Sequence, residues 1–580
     1  MGERTVTLDL SPATLHARVV VDELIRNGMQ EAVLCPGSRS TPLAFALAAA
    51  EAAGRLTLHV RVDERSAGFL ALGLTAASGT PVAVVCTSGS AVANLHPAAV
   101  EARFNHRQVV FLTANRPPEM EGVGAQQTIV QRGIFAHDIV DELVLPAAGS
   151  DVVAEADAHG WNAHWRAALC RTMARAAASA GPVHIDVPFR EPLVSPIDSA
   201  VPPVNTALPP VDETPLPPCW QGRSAQRPWT EVRDTATVDL SLRTLVIAGQ
   251  GSWELPALTG VPTLCEPGGR ASGVLLNPLC VSALLADPAH APQQLVVVGK
   301  PTLHRSVTRL LADPALPQIV VTAPTAPTEW ADVAGQAQTA CTHLTTVGES
   351  PQHWLATCAE ADGAAHAHVL DVVARLRAGQ REDNPGRLPS GLEVAYAVGE
   401  AVAADPALLL FVGSSNPVRD LAVTHPDLGP RCWVNRGASG IDGNISTAMG
   451  LAFHHPGPIV AFLGDLAALH DSGGLLVPTL ENAPKNLTIL VANDTGGGIF
   501  ATLEQGAPAY EAQFERLFGV PHTADFAALA AGWGVAYQQC TLAELPGVLT
   551  GYAEPAGVRL VEVRTQRRHR YALAATLEGR

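Results

Sequence analysis

Lysine is nearly missing from this chain of 580 residues: Lys300 and Lys485 are the only two among 38 basic side chains. Cationic recognition therefore falls to arginine, whose planar fork suits bidentate binding of carboxylates. The basic residues are outnumbered by 55 acids, and a formal charge of −17 argues against nucleic acid or an anionic membrane as partner. Charged residues are scarce overall, 16% against 47% hydrophobic, which excludes extensive disorder. No apolar stretch reaches the ~18 residues of a membrane span before His, Pro or Asp cuts it. The N-terminal segment lacks the apolar core of a signal peptide. The ten cysteines form no CxxC pair, and several lie in apolar runs such as Val33-Leu34-Cys35 and Val84-Val85-Cys86. They read as reduced, buried small residues, and the expectation is a cytoplasmic protein. There is no P-loop and no GxSxG elbow. Gly249-Gln250-Gly251 follows a strand but lacks the third glycine and the ribose-binding acid of a dinucleotide site, so it reads as a structural turn.

What is present is an alternation of apolar strands and helices at a pitch of roughly 25–30 residues, the mark of parallel sheets with helices on both faces. The expected fold is α/β, with three consecutive doubly wound parallel-sheet domains. The first occupies residues 1–195. It holds a helix from Ser11-Pro12 to about Gly28, a strand Glu31–Cys35, a strand ending at Val62 and a helix from Glu64. Strands Pro81–Thr87, Gln108–Thr113 and Val183–Val187 follow, with a long helix near Ala158–Ala180 before the last. Residues 196–228 are rich in proline and read as an extended linker. The second block, 229–376, has strand candidates from Thr244, at Val261–Cys265, at Gln294–Val298 and at Gln318–Thr322. A polar linker at 377–389 leads to a third block, 390–580.

Chemistry concentrates at predicted strand ends. In the third block the apolar run Pro458–Leu463 delivers Gly464-Asp465-Leu466, and Leu487–Ala492 delivers Asn493-Asp494-Thr495-Gly496-Gly497-Gly498. The two acids lie roughly 30 residues apart, about one βαβ unit, so both reach the same sheet edge. Paired carboxylates beside glycines suit Mg²⁺ held jointly with a diphosphate. Taken singly, each acid is equally a helix cap and the glycines a plain turn.

Pro36-Gly37-Ser38-Arg39-Ser40-Thr41-Pro42 is either an anion cradle at a helix start or a capped helix with Arg39 in solvent. Glu64 in Asp63-Glu64-Arg65 has the ordinary position of a first-turn acid. Arg116 precedes two prolines, and Gln126-Gln127 follow shortly after. Phe411 to Arg419 carries Ser414, Ser415 and an arginine, and Asn435 to Gly443 adds Arg436 in a glycine-rich loop. Arg39, Arg116, Arg419 and Arg436, each near a strand end in an acidic protein, suggest a pocket for several carboxylates. His454-His455 precedes Pro456 with no third ligand at metal-site spacing, so it reads as a turn.

The ordered segments PGSRSTPL, DERSAGFLALGL, TSGSAVANL, TANRPPE, GAQQT, FVGSSNPVR, NRGASGIDG and GDLAALHD with VANDTGGGIF resemble a thiamine-diphosphate-dependent enzyme. The more specific likeness is to the 2-succinyl-5-enolpyruvyl-6-hydroxy-3-cyclohexene-1-carboxylate synthase family of menaquinone biosynthesis. It spans residues 36 to 500, with NRGASGIDG and GSRSTPL its most specific segments and the middle block matching weakly. The resemblance implies a pyrimidine-binding domain, a central domain without cofactor and a diphosphate-binding domain. It implies a homodimer or homotetramer with active sites at the subunit interface, and a transferase that decarboxylates 2-oxoglutarate and adds the resulting carbanion 1,4 to isochorismate.

By the same resemblance, Glu64 shares a proton with the pyrimidine N1′ of thiamine diphosphate, and burial would raise its pKa. Ser38, Arg39, Arg116 and Gln127 would meet substrate from the pyrimidine side. Ser415, Arg419 and Arg436 would do so from the diphosphate side, with Ile499, Phe500 and Leu503 lining the cleft. Gly437, Ala438, Ser439, Ile441, Gly464, Asp465, Leu466 and Asp494 would hold the cofactor, Ile441 as its apolar wedge. Asp465, Asp494 and the Gly496 carbonyl would hold Mg²⁺ or Mn²⁺. The chain departs from the wider GDG…NN pattern at Leu466 and at Asp494, where a second Asn is expected. Some relatives are inhibited by a downstream product at an arginine-lined site, for which Arg270 and Arg305 are the candidates here; the alternative is a solvated basic turn. The rivals are a carboligase acting on pyruvate, against which the arginine set speaks, and a non-catalytic binding protein, against which Glu64, Asp465 and Asp494 together speak.

Overall fold

The computed structural model describes residues 10–149, 155–195, 216, 218–223, 227–382, 387–436, 439–477, 480, 483–550, 557–567 and 570–577. They fall into two compact units, Met1–Ala236 with Thr322–His343, and Thr237–Val321 with Leu344–Arg580. Among the described residues no helix is long and apolar enough to cross a membrane.

The first unit is built on strands β1 (Glu31–Leu34), β2 (Thr57–Val60), β3 (Val82–Cys86), β4 (Val109–Asn115), β5 (Asp141–Val144) and β6 (Val183–Pro188). Their order is β2-β1-β3-β4-β6-β5, every pair parallel. The strands read as continuous apolar runs because both faces are covered. Ala83 and Val85 of β3 enter one core with Leu15, Leu24 and Trp165; Val82, Val84 and Cys86 enter the other with Ala67, Leu95 and Phe135. Ser11 caps the first helix, Pro12–Arg26, its hydroxyl accepting from Thr14 N at 3.1 Å.

The Pro-rich stretch departs from the linker expected of it at its described end. Trp220 is fully buried and stacks on Trp165 with centroids 5.5 Å apart. The other expected linker begins inside a helix, Gln352–Glu382, which runs past residue 377. None of the ten cysteines is in a disulfide, and all but Cys219 are buried.

His16 is sealed in the first core, its ring stacked on Trp165 at 4.0 Å, and among the described residues neither ring nitrogen has a partner. Burial lowers its pKa to about 3. The unfolded chain therefore takes up the proton first as pH falls below ~6.5. His16 then costs the folded state up to about 1.4 kcal/mol for each further pH unit. His16→Phe is expected to raise Tm and to flatten its decline between pH 6.5 and 5, as followed by thermal melts. A variant as acid-sensitive as the wild type would place the titration elsewhere.

Strands β7 (Glu231–Asp239), β8 (Thr244–Ala248), β9 (Pro262–Cys265), β10 (Val274–Leu275), β11 (Gln294–Val298), β12 (Gln318–Val321) and β13 (Thr339–Val347) form a second sheet, ordered β10-β9-β8-β11-β12-β13-β7. Gly249 follows β8 as a structural turn. A Cβ there would lie 2.1 Å from the Pro301 nitrogen, and Gln250 pairs with Lys300 instead of opening a ligand loop.

Strands β14 (Leu409–Val412), β15 (Cys432–Val434), β16 (Ile459–Gly464), β17 (Asn486–Asn493), β18 (Ala536–Gln539) and β19 (Gly557–Arg564) form the third sheet. Its order, β15-β14-β16-β17-β19-β18, repeats the topology of the first, again wholly parallel. In both sheets the strand order reverses between the first and third strands, and the crevice beyond their carboxyl ends is where such folds take ligands.

Candidate active site

The switch point of the third sheet lies between β14 and β16. β14 leads into Gly413-Ser414-Ser415 and then the helix Asn416–Thr424, whereas β16 ends on Gly464 and Asp465 opens the next helix. The neighbouring β17 pairs with β16 in the register Gly464↔Ala492, so Asp494 leaves the sheet beside Asp465. The expected carboxylate pair is therefore present, at one edge.

The two acids are held differently. Asp465 is buried and already engaged: Oδ1 accepts from Leu466 N at 2.7 Å and Oδ2 from Gly496 N at 2.8 Å. His522 Nε2 lies 3.0 Å from the same Oδ2, and Nδ1 of that ring accepts from Ala524 N, so the proton sits on Nε2 and is donated to the acid. Asp494 Oδ1 is buried and, among the described residues, unpartnered. Burial and then the charge of Asp465 push its pKa up to about 7. A bare pair of buried acids is costly, and a divalent cation removes that cost.

The loop after β17 is shaped for close approach. Gly496 has φ +158, and a Cβ there would lie 1.9 Å from Arg567 Nη1; one on Gly498 would lie 2.3 Å from Asp494 Oδ2. Thr495, Ser415, Ser439 and, in the first unit, Gln127 are non-glycine residues at positive φ. Backbone strain of this kind persists where the surroundings over-determine it, commonly at functional sites.

A cavity of about 150 Å³ is lined by Ser415, Ile441, Gly464, Asp465 and Leu466 from the early loops of this sheet. Asp494, Gly496, Ile499 and Phe500 close it from the later ones. Nine predicted residues thus meet in one place. Arg419 and Leu503 line a second cavity of about 460 Å³, which shares Asn416, Asp420 and Arg570 with the first. Arg419 stands in the first turn of the helix Asn416–Thr424, not in the turn before it, and donates to Ser415 O at 2.8 Å. Arg436 is buried and donates to Thr302 Oγ1 at 2.6 Å. Neither guanidinium has a carboxylate ion-pair partner among the described residues. Burial lowers the pKa of both, and for Arg419 repulsion from Arg436 adds to it.

Ser439 Oγ donates to Arg436 O at 3.3 Å, outside the cavity lining. Gly437 and Ala438 lie outside the described residues. Arg305 lines the larger cavity but Arg270 does not. His455 Nε2 is 2.9 Å from Ala407 O, and no cluster of three metal-ligating side chains exists among the described residues. His454 is the last residue of the helix Asn444–His454 and His455 its C-cap.

In the first sheet, the switch point between β1 and β3 carries Ser38 and Arg39 on one side and Ser88-Gly89 on the other. Arg39 is buried and donates to Phe189 O at 3.0 Å and Glu191 Oε1 at 3.3 Å; Ser38 is exposed. Arg116 is buried, pairs with Ser88 Oγ and donates to Gln127 O at 3.2 Å. Gln127 Nε2 in turn donates to Ser88 O at 2.9 Å, so Arg116 and Gln127 form one assembly. Glu64 opens the helix Glu64–Ser78, whose cap is Asp63: Asp63 Oδ1 accepts from Arg65 N and Ser66 N. The Glu64 carboxylate has no hydrogen bond among the described residues and is half-exposed, not enclosed in an apolar cleft as the resemblance implied.

Asn416, Asp420, His522, Arg567 and Arg570 were not singled out from sequence. Asn416 lies within the FVGSSNPVR segment. The run Arg567-Arg568-His569-Arg570 in so acidic a chain was a usable signal.

The family described as "Thiamine pyrophosphate enzyme, N-terminal TPP binding domain" matches residues 16–134. The 2-succinyl-5-enolpyruvyl-6-hydroxy-3-cyclohexene-1-carboxylate synthase of Nocardia farcinica is 44% identical over 98% of this chain and 99% of its own. That of Mycolicibacterium vanbaalenii is 43% identical over 98% and 100%, and that of Rhodococcus erythropolis 43% over 96% and 97%. At 43–44% identity along nearly its whole length, the chain belongs to the 2-succinyl-5-enolpyruvyl-6-hydroxy-3-cyclohexene-1-carboxylate synthase family of thiamine-diphosphate enzymes.

Proposed function

We propose that the protein is a transferase that decarboxylates 2-oxoglutarate and joins the remaining four-carbon unit to isochorismate, a step of menaquinone biosynthesis. The observation that carries this reading is the pair Arg419 and Arg436, two guanidiniums without a carboxylate ion-pair partner among the described residues, Arg419 lining the larger cavity that adjoins the one holding Asp465 and Asp494. Uncompensated cations of this kind are expensive and suit a site built for dicarboxylate substrates. Pyruvate, with one carboxylate, would leave them unmatched.

The first, second and third sheets are read as the pyrimidine-binding, central and diphosphate-binding domains. Asp465, Asp494 and the Gly496 carbonyl would hold Mg²⁺ or Mn²⁺, with Gly464, Leu466, Gly437, Ala438 and Ser439 against the diphosphate and Ile441 against the cofactor's middle. Thiamine diphosphate, when bound, supplies the electron sink for breaking and making carbon–carbon bonds. Glu64 holds and returns a proton at the pyrimidine N1′. Ser415, Arg419 and Arg436 orient substrate carboxylates from one side, and Ser38, Arg39, Arg116 and Gln127 from the other. Ile499, Phe500 and Leu503 exclude water. Glu64 needs a cover, and the outward face of its helix, with Phe69 42% exposed, suits a second copy of the chain. The assembly is read as a homodimer or homotetramer with shared sites. The partners are otherwise small molecules, in the cytoplasm.

Purified protein supplied with thiamine diphosphate and Mg²⁺ is expected to release CO₂ and consume isochorismate with 2-oxoglutarate, and to do neither at a comparable rate with pyruvate. Turnover of pyruvate alone would move the protein to a different carboligase activity.

A further inference from the structure

Arg436 lies two residues beyond the strand Cys432–Val434, and its guanidinium is fixed. Among the described residues its one hydrogen bond to a side chain reaches the second sheet's territory: Nη2 donates to Thr302 Oγ1 at 2.6 Å, across 134 residues of sequence. Thr302 lies in the turn between β11 and the helix Arg305–Leu311. That turn is held from two sides. Gln250 and Lys300 exchange backbone hydrogen bonds, N to O at 3.0 and 2.9 Å. Glu266, at the end of β9 and 5% exposed, accepts from Thr302 N at 2.8 Å and Leu303 N at 2.6 Å, both through Oε1. Its Oε2 has no hydrogen-bond partner among the described residues, and neither has Arg436 Nε. A buried acid and a buried guanidinium thus face the same turn and feel each other's charge without forming a direct ion pair, which leaves the arginine's fork open to a further carboxylate.

We infer that Thr302 and Glu266 are positioning residues for Arg436: the central domain's turn, fastened by Glu266, presents the Thr302 hydroxyl that aims Arg436 at a substrate carboxylate. This rests on the reading of Arg436 as a substrate-binding residue, and it gives the cofactor-free central domain a part in substrate selection. A direct Glu266–Arg436 ion pair would satisfy the cation and compete with substrate. The hydroxyl instead orients it while leaving its charge available.

The test compares Thr302→Val, which keeps the shape and removes the acceptor, with Thr302→Ser, which keeps the acceptor. In the thiamine-diphosphate-loaded enzyme, Thr302→Val is expected to raise KM for one of the two dicarboxylates about tenfold, with kcat within about threefold. Thr302→Ser is expected within about twofold of wild type on both, and Glu266→Gln should raise the same KM as Thr302→Val. Wild-type KM values in Thr302→Val, or equal impairment in the Val and Ser variants, would overturn the inference. Calorimetric Kd values for 2-oxoglutarate and isochorismate read the same comparison without turnover. A wild type that binds both but does not join them fails the proposed function alone, whereas unchanged Kd in Thr302→Val fails this inference alone.

Discussion

Glu64→Gln is expected to lower kcat by at least about 10², the lower end of what a positioned proton donor and acceptor contributes. The substitution is nearly isosteric, and the structure shows why the fold should tolerate it. The helix Glu64–Ser78 is capped by Asp63, whose Oδ1 takes the Arg65 and Ser66 N–H groups, so Glu64 is free of capping work. What the fold loses is a favourable charge in the first turn, about 0.3–1 kcal/mol. Tm should therefore move by about 4 °C at most. Affinity for thiamine diphosphate, set largely by the metal and diphosphate end, should stay within a few-fold when measured by calorimetry. A kcat within about threefold of wild type would return Glu64 to the role of an ordinary first-turn acid. Its half-exposed carboxylate also gives the reaction a reason to need a second subunit, because a proton shared with the pyrimidine requires exclusion of water.

The sequence made the outer sheets readable because their strands are buried on both faces. Val82–Cys86 and Ile459–Gly464 are unbroken apolar runs, and the chemistry follows at the residue where each run stops. Asp465 and Asp494 could be paired on paper since neighbouring parallel strands bring consecutive strand ends together. Edge strands were harder. β7, exposed along most of its length, and β5, half-buried throughout, do not stand out from loops, and neither was expected. Trp220 was hidden in a proline-rich context whose composition reads as linker although its indole fills the core. The support around the arginines was the least legible part. Thr302 to Arg436 and Arg570 to Asp420 are contacts across more than a hundred residues, with no periodicity or spacing to announce them.

Asp494→Asn separates the charge of this acid from its shape. In the metal-free protein Asp494 Oδ1 is buried without a partner and sits beside Asp465, so an uncharged amide should relieve repulsion and raise the apo Tm. With metal the sign reverses. Mg²⁺ is a hard cation that favours anionic oxygen, and loss of one of two carboxylates should raise its half-saturating concentration at least about tenfold, or ~1.4 kcal/mol. The Mg²⁺-dependent gain in Tm should shrink accordingly, since stabilisation by a ligand follows the logarithm of its concentration over Kd. At saturating Mg²⁺, kcat should lie within about threefold of wild type, because the amide oxygen still reaches the ion and Asp465 keeps its contacts with Leu466 N, Gly496 N and His522. The opposed signs are the diagnostic feature: a structural acid would lower Tm with and without metal. An unchanged Mg²⁺ requirement would remove Asp494 from the ligand set. Loss of activity that no Mg²⁺ concentration restores would mean that the second negative charge, which distinguishes this loop from the Asn-Asn pattern, is itself required.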